Sequence, residues 1–378
     1  MNPASHVDLA RRLFHQVKTN HAATGKDRTA LVKKSRYMSP ERFAQEREHL
    51  FATTPQIVAH ASELVEPGAC MTVDVAGISL LLVRGADDEI RAFRNACRHR
   101  STELVPEDAP CRKKAFVCRY HGWTYDLTGR RIHVPHLPSF DGLDADRDAL
   151  VPAHAHVHGG FVWASLAPFD PAAHLGALDE DFALLDLGAS RVHARASREV
   201  RGNWKLIVDA FLDGYHIRHL HRDTVYRFFF DAQSEAEAVG PHIRAATARR
   251  TLAEVNEITL ENAPIRELVT PSYSIFPNTV LVLHPDYTSV MRLEPLAADR
   301  TRFVHTMLVS GEVSAEKKDH FDKSFALIDQ GVFASEDLAV VESIQRGMQS
   351  SADELMLFGE LEFAAKWFHD AVDSVVGD

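Results

Sequence analysis

Cysteine is scarce: the 378 residues hold four, Cys70, Cys97, Cys111 and Cys118. A secreted scaffold held by disulfides would be denser in cysteine, so a reducing cytoplasm is the expected compartment. No apolar run approaches the roughly 18 residues that a membrane span needs, so no membrane partner is expected. The opening Met-Asn-Pro-Ala-Ser-His-Val-Asp-Leu-Ala has no basic segment followed by an apolar one, and no signal peptide is expected. Positive charge is in deficit, with 42 Lys and Arg against 53 Asp and Glu. That balance argues against nucleic acid as a partner. A Gly-rich phosphate loop is also missing. Val83-Arg84-Gly85 runs into Ala86-Asp87-Asp88, so no dinucleotide or flavin site is expected. Neither an internal repeat nor a low-complexity segment is found.

What remains is an ordinary globular composition, 45% hydrophobic and 25% charged. The length suggests roughly two or three domains. Val7, Ala10, Leu13, Phe14 and Val17 recur at helical spacing and predict an amphipathic helix over 5–20. Ser39-Pro40-Glu41 opens a short helix running to about Leu50. From Gln56 to Ala164 the pattern is β, with strands expected over 71–77, 78–85 and 89–94, and others ahead of Cys118 and near 123–130 and 159–164. Proline and glycine over 166–190 mark a connecting segment with a short helix. Beyond 191, a helix is expected over Asn203 to about Leu220 and strands over 242–251, 273–284, 289–295 and 302–310. Helices over 315–328, 335–348 and 358–375 follow. The fold class is α+β: an antiparallel sheet with long helices packed on it, behind an all-β domain. The divisions are 1–50, helices packing on the last domain; 51–165, the β domain; 166–190, the linker; and 191–378, the sheet-and-helix domain.

Chemistry concentrates in two places. Cys97-x-His99 is followed, after 18 residues, by Cys118-x-x-His121. Two thiolates and two imidazoles in two short loops suit a [2Fe–2S] centre of Rieske type, in which two Cys hold one iron and two His the other. The competing reading is a tetrahedral Cys₂His₂ zinc site. Such sites more often pair Cys with Cys and His with His, whereas here each loop holds one of each. The second place is Asn203-Trp204-Lys205 through His221. On a regular helix, Asp209, Asp213 and His216 share a face. His216 and His221 are five apart, about 140° round such a helix. They converge on one ion only if the helix ends after His216 or carries a wide turn there. Two His with one carboxylate would leave iron positions open for O₂ and substrate. Glu336 and Asp337 in Ser335-Glu336-Asp337 are candidate carboxylates, although first-turn acids are commonly there for the helix dipole.

These stretches together resemble the Rieske non-haem iron oxygenases, specifically the α (terminal oxygenase) subunit of the ring-hydroxylating family. Gly122-Trp123-x-Tyr125-x-x-x-Gly129 beside the cluster loops, His99-Arg100, the Asn-Trp-Lys / Asp-x-x-His / His stretch and Glu336-Asp337-x-x-x-x-Glu342-x-x-Gln345-Arg346-Gly347 carry the likeness. So do Phe358-Gly359-x-x-Glu362 and His369. Gly usually follows Arg100 in the family; here it is Ser101.

The resemblance implies an N-terminal Rieske domain and a C-terminal helix-grip (START-like) catalytic domain. It implies one [2Fe–2S] cluster per subunit on Cys97, His99, Cys118 and His121, and one Fe(II) on His216, His221 and Asp337. Asp213 is implied as the catalytic bridge to His121 of a neighbouring copy in a homotrimer, or an α₃β₃ assembly. A separate NAD(P)H-dependent reductase, with or without a ferredoxin, is the implied electron source.

Phe211, Leu212, Phe228, Phe229, Leu281, Leu283 and His284 are expected pocket walls, favouring mono- or cis-dihydroxylation of an aromatic or largely apolar small molecule. The alternative is a Rieske demethylase or quaternary-ammonium monooxygenase. Those relatives often have Glu in place of Asp213 and Cys in place of Gly214. A bare electron carrier and a helix-grip ligand binder are the remaining readings.

Overall fold

A computed structural model describes residues 3–23, 29–106, 110–256, 260, 262–352 and 354–377. The chain divides into two units, Phe51–His174 and Met1–Leu50 with Leu175–Asp378. Residues 1–50 therefore group with the C-terminal part, and 166–174 with the β unit.

Phe51–His174 is built on an antiparallel seven-stranded sheet. Its strands run, in spatial order, Gln56–His60, Phe161–Ser165, Pro152–His158, Ile90–Arg94, Ile78–Arg84, Ala69–Val75 and Cys111–Arg112. A second, small sheet joins Phe116–Val117, Thr124–Tyr125 and Arg131–His133. Alternating residues of Ile78–Arg84 feed two cores. Leu80 and Leu82 pack with Val58, Met71 and Val162, whereas Leu81 and Val83 pack with Phe93, Phe116, Trp123 and Tyr125. The second core lies under the two cysteine loops and includes Cys97 and Cys118.

The larger unit has its own antiparallel seven-stranded sheet. Its order is Ser190–Val200, Arg300–Ser310, Tyr287–Ala297, Thr279–Leu283, Val269–Ile275, His242–Arg249 and Phe229–Val239. Two of these strands, Ser190–Val200 and Phe229–Val239, were not expected from sequence. The single strand expected over 273–284 is two, Val269–Ile275 and Thr279–Leu283. Helix Ala4–Thr19 covers one end of the sheet, burying Leu9, Ala10, Leu13 and Phe14 against Ala246, Ala248 and Leu252. At the chain's other end, Leu355–Gly359 is a strand paired with Thr29–Lys33, and the last helix is Phe363–Val376.

The expected helix over 203–220 is corrected. Helix Trp204–Leu212 stops at Asp213, which is extended (φ −109°, ψ 121°), and one further turn follows over Ile217–Leu220. Asp213 makes this stop itself, its Oδ1 accepting the Tyr215 N–H at 2.5 Å. Asp209 consequently does not share a face with the two residues after it. Its carboxylate accepts the Tyr37 hydroxyl at 2.8 Å and lies 3.0 Å from His369 Nε2.

The two motif stretches of this unit are fastened to each other. The Asn203 N–H donates to Gln345 Oε1 at 2.8 Å and the Arg201 N–H to Glu342 Oε1 at 3.0 Å. Between them Gly202 lies against Val341, where a Cβ would come within 2.5 Å of Cγ1. Asn203 also caps helix Trp204–Leu212 through the Lys205 N–H at 3.0 Å. Its amide donates to the carbonyls of Tyr37 at 3.1 Å and Ala298 at 2.7 Å. Trp204 Nε1 donates to buried Glu46, which also pairs with buried Lys205. Breaking such a buried pair typically costs about 3–5 kcal/mol, so this end of the helix is firmly seated. On the other side, Leu327–Asp337 is a π-helical stretch joining Ala315–Ala326 to Leu338–Ser350. Its wider turn sets Asp337 facing the end of helix Trp204–Leu212.

Candidate metal centres and substrate cavity

The two cysteine loops are built alike. The Ser101 N–H donates to the Cys97 carbonyl and the Gly122 N–H to the Cys118 carbonyl, both at 2.9 Å. Each closing residue has positive φ, +58° at Ser101 and +71° at Gly122. The left-handed conformation costs an L-residue roughly 1–2 kcal/mol that glycine avoids. Ser101→Gly is therefore expected to raise the melting midpoint of the cluster-bearing unit by about 2 °C. Calorimetry measures it, and an unchanged or lower midpoint would show that Ser101 is not strained.

Around the loops, Tyr125 lies with its hydroxyl 3.4 Å from Cys97 Sγ and accepts the Arg98 N–H at 2.9 Å. His99 and His121 lie with ring centroids 4.6 Å apart, and His99 stacks on Trp123 at 4.9 Å. His99 Nδ1 is buried and has no protein partner. Burial raises the Cys97 thiol's pKa. At Cys118 burial pushes the same way, but backbone N–H groups of Tyr120 and His121 and the neighbouring thiol together lower it. The four side chains do not form a single-ion nest. Among the described residues, His216, His221 and Asp337 are the one group of three or more such donors whose ligand atoms lie within 4.8 Å of one another. A tetrahedral zinc site would have gathered all four around one point. A two-iron unit does not need its four donors gathered around one point.

In the larger unit, the break at Asp213 brings His216 and His221 together despite their spacing. Their Nε2 atoms are 3.1 Å apart, and Asp337 Oδ1 lies 3.2 Å from the second and 3.7 Å from the first. Ligands about 2 Å from one ion at neighbouring positions would be separated by about 3 Å. Asp337 Oδ1 is buried and makes no hydrogen bond. A buried carboxylate oxygen without a hydrogen bond, facing two imidazole nitrogens, is a donor set that fits a cation.

The imidazoles are oriented from behind. His221 Nδ1 lies 2.7 Å from Glu336 Oε2, which also accepts the Thr224 hydroxyl at 2.8 Å. Donation from Nδ1 leaves the Nε2 lone pair directed at the nest. Asp213 Oδ2 lies 3.4 Å from His216 Nδ1. Although burial opposes charge on His221, Asp337 and Glu336 outweigh it and raise its pKa.

All three nest residues line a cavity of about 390 Å³. Of the expected walls, Phe211, Leu212, Phe228, Phe229 and His284 line it. Leu281 and Leu283 do not and are fully buried; Val282, the residue between them, lines it instead. Successive strand residues point to opposite faces, so the expectation had the wrong parity. The opposite wall consists of small sheet residues, including Ser234, Ala245, Thr247 and Ser272, which leave the volume open. Arg249 and Tyr287 also line it and were missed, as was Glu336's part behind His221.

Residues 187–378 match the model for "Ring hydroxylating alpha subunit (catalytic domain)", and residues 54–151 match "Rieske [2Fe-2S] domain". The chain belongs to the ring-hydroxylating oxygenase α-subunit family. This Rieske oxygenase is 27% identical over 325 residues to the carnitine monooxygenase oxygenase subunit of Escherichia coli (strain K12), covering 83% of each chain. It is 25% identical to the chloroplastic choline monooxygenase of Spinacia oleracea, covering 84% of this chain and 71% of that one. Its fold matches a quaternary ammonium Rieske monooxygenase at TM-score 0.77 and 23% identity, over 91% of this chain and 94% of that one. It also matches Rhodococcus sp. naphthalene 1,2-dioxygenase at TM-score 0.76 and 19% identity, over 100% and 99%.

The Rieske oxygenase is thus a terminal oxygenase subunit carrying a [2Fe–2S] cluster and a mononuclear iron, of a kind that works with electron-transfer partners and assembles into oligomers. That excludes the bare carrier and the binding module. The expectation of aromatic ring hydroxylation and aromatic catabolism finds no support in these curated relatives, which are named for quaternary ammonium compounds. No helix of the described residues is long and apolar enough to cross a membrane.

Proposed function

We propose that this oxygenase hydroxylates a small quaternary or tertiary ammonium compound at a carbon next to nitrogen, as a monooxygenase. The observation that carries it is the convergence of His216, His221 and Asp337 in the wall of one cavity, in a chain whose relatives are named for such substrates. Two aromatic side chains in that wall, Phe211 and Phe333, offer ring surface on which a cationic ammonium group is stabilised.

In this reading His216, His221 and Asp337 hold Fe(II), and Cys97, His99, Cys118 and His121 hold the cluster. Iron bound there supplies O₂ activation, with electrons delivered through the cluster. The net change turns a C–H into a C–OH. The second oxygen atom leaves as water, consuming two electrons that come from NAD(P)H through a separate reductase and two protons, one from NAD(P)H and one from solvent. The residues' own work is positional. Glu336 fixes the His221 tautomer, Asp213 steadies His216, and the apolar walls keep bulk water from the reacting carbon. Glu336→Gln is expected to weaken mononuclear iron affinity about tenfold while leaving the cluster's visible spectrum intact. Iron titration monitored by activity recovery measures it; unchanged affinity would remove Glu336 from this role.

Aromatic hydroxylation is the second reading, and one position favours it. Ammonium-specific relatives often carry Cys where this chain has Gly214. A Cβ there would meet Ser234 Oγ at 2.2 Å, so Ser234 fills that space. The deciding experiment couples the purified protein to a surrogate reductase and follows NADH-dependent O₂ uptake. The panel contains carnitine, γ-butyrobetaine, glycine betaine, choline and benzoate, and products are identified by mass. About three Fe per chain and a hydroxylated or demethylated ammonium product support the proposal. Oxidation of the aromatic ring alone would overturn it.

A further inference from the structure

Arg249 is the one arginine or lysine among the described residues that line the cavity. Arg12, Arg198, Arg244 and Arg292 each meet a carboxylate. Arg249 meets none among the described residues. It ends strand His242–Arg249, in register with Phe229, and its Nη1 donates to Thr270 Oγ1 at 3.2 Å. Its guanidinium lies over the Phe228 and Phe229 rings, 5.6 and 5.4 Å from their centroids. Ring faces hold the cation without using its N–H groups, so Nε and Nη2 keep free donors. Burial pulls its pKa down. An arginine nevertheless stays charged, so the site carries a positive charge that water only partly solvates.

A second unsatisfied group lies in the same wall. His284 Nε2 is buried and has no partner. The His284 ring stacks on Tyr287 at 4.2 Å, and burial, with Arg249 next in effect, lowers its pKa to about 3. It is therefore a neutral hydrogen-bonding group. The carboxylates of the lining are already engaged. Glu235 meets Arg12 and Gln16, Asp286 meets His320, and Asp213 and Asp337 face the imidazoles.

We infer that Arg249 is the anchor for a carboxylate on the substrate, received by its free N–H groups on the sheet wall of the cavity while the imidazole–aspartate nest stands on the helix wall. The inference rests on the reading that this cavity takes the substrate. It makes Arg249 a specificity-determining residue: a zwitterionic ammonium carboxylate gains a charge-assisted pair. An ammonium alcohol such as choline would instead bring one cation towards another unsatisfied one.

The test is equilibrium binding to the holoenzyme by calorimetry, for wild type, Arg249→Gln and Arg249→Lys, with carnitine, γ-butyrobetaine, glycine betaine, choline and benzoate. Iron content and the cluster spectrum check that each variant is intact, and Arg249→Lys serves if the glutamine variant does not fold. Wild type should bind at least one carboxylate more tightly than choline. Arg249→Gln should weaken that carboxylate about 30-fold and leave choline unchanged or tighter, with Arg249→Lys in between.

The anchor is overturned if carboxylate affinities stay within about twofold in Arg249→Gln, if choline binds wild type best, or if no carboxylate binds. Arg249-dependent binding of benzoate, with no ammonium compound bound, would keep the anchor and remove the ammonium reading. Ammonium carboxylates bound equally by wild type and Arg249→Gln would do the reverse.

Discussion

Replacing Asp213 by Ala should leave both metals bound and cut turnover by about two orders of magnitude or more. The carboxylate is not in the nest. It is a half-buried group whose Oδ1 is tied to the Tyr215 N–H and whose Oδ2 lies 3.4 Å from the outer nitrogen of His216. One lone pair therefore steadies a proposed iron ligand, and others remain for a second donor. In a ring of copies, an imidazole of a neighbour's cluster is the donor that the family resemblance implies. A carboxylate shared by two metal-bound imidazoles fixes both rings. Iron analysis, the cluster spectrum and reductase-coupled O₂ uptake on the same preparation measure the outcome. Asp213→Asn keeps the shape and one acceptor oxygen and should recover part of the activity. Activity within a few-fold of wild type in the alanine variant would sink the assignment.

Asp337→Ala should act on the other link. Iron should fall from about three to about two per chain, the cluster spectrum should persist, and substrate-dependent turnover should fall below about 1% of wild type. The metal-free variant should be no less stable than metal-free wild type. The oxygen removed is buried and accepts no well-formed hydrogen bond, so its desolvation is offset only by the facing His221 imidazole until a cation arrives. A structural role would predict the opposite, a lower melting midpoint in the absence of metal. Three irons retained in Asp337→Ala would remove it from the ligand set.

The candidate cluster donors could be proposed from the sequence because they are local, each pair inside one short loop, so that spacing and ligand type single them out. The candidate iron ligands could be proposed from composition, but their geometry could not be read. His216 and His221 look mismatched on a continuous helix, and the signal that breaks the helix, the turn-forming pair Asp213-Gly214, was read as helical. Strand Phe229–Val239 was missed because after its phenylalanines it is rich in Ala and Glu, which favour helix. Leu281 and Leu283 were taken for cavity walls because Thr279–Leu283 is apolar on both faces. With no polar alternation, nothing in that strand marks which parity faces the cavity. Arg249 was invisible for another reason: a basic residue becomes informative only once the carboxylates around it are seen to be taken. The Asn203 and Gln345 motifs, selected as marks of resemblance, prove to be the fastening between the helices that present His221 and Asp337.

That fastening bears on the order in which a growing chain can acquire its metals. Every sheet pairing of the cluster-bearing unit lies within Phe51–His174, so that unit's strands are all present long before Asp337 has been synthesised. The nest of His216, His221 and Asp337 needs Asp337, and the clasp that aligns it needs Gln345, both made well after Phe51–His174. Cluster insertion can therefore precede synthesis of Asp337, whereas the nest comes into being only once Asp337 and Gln345 have been made.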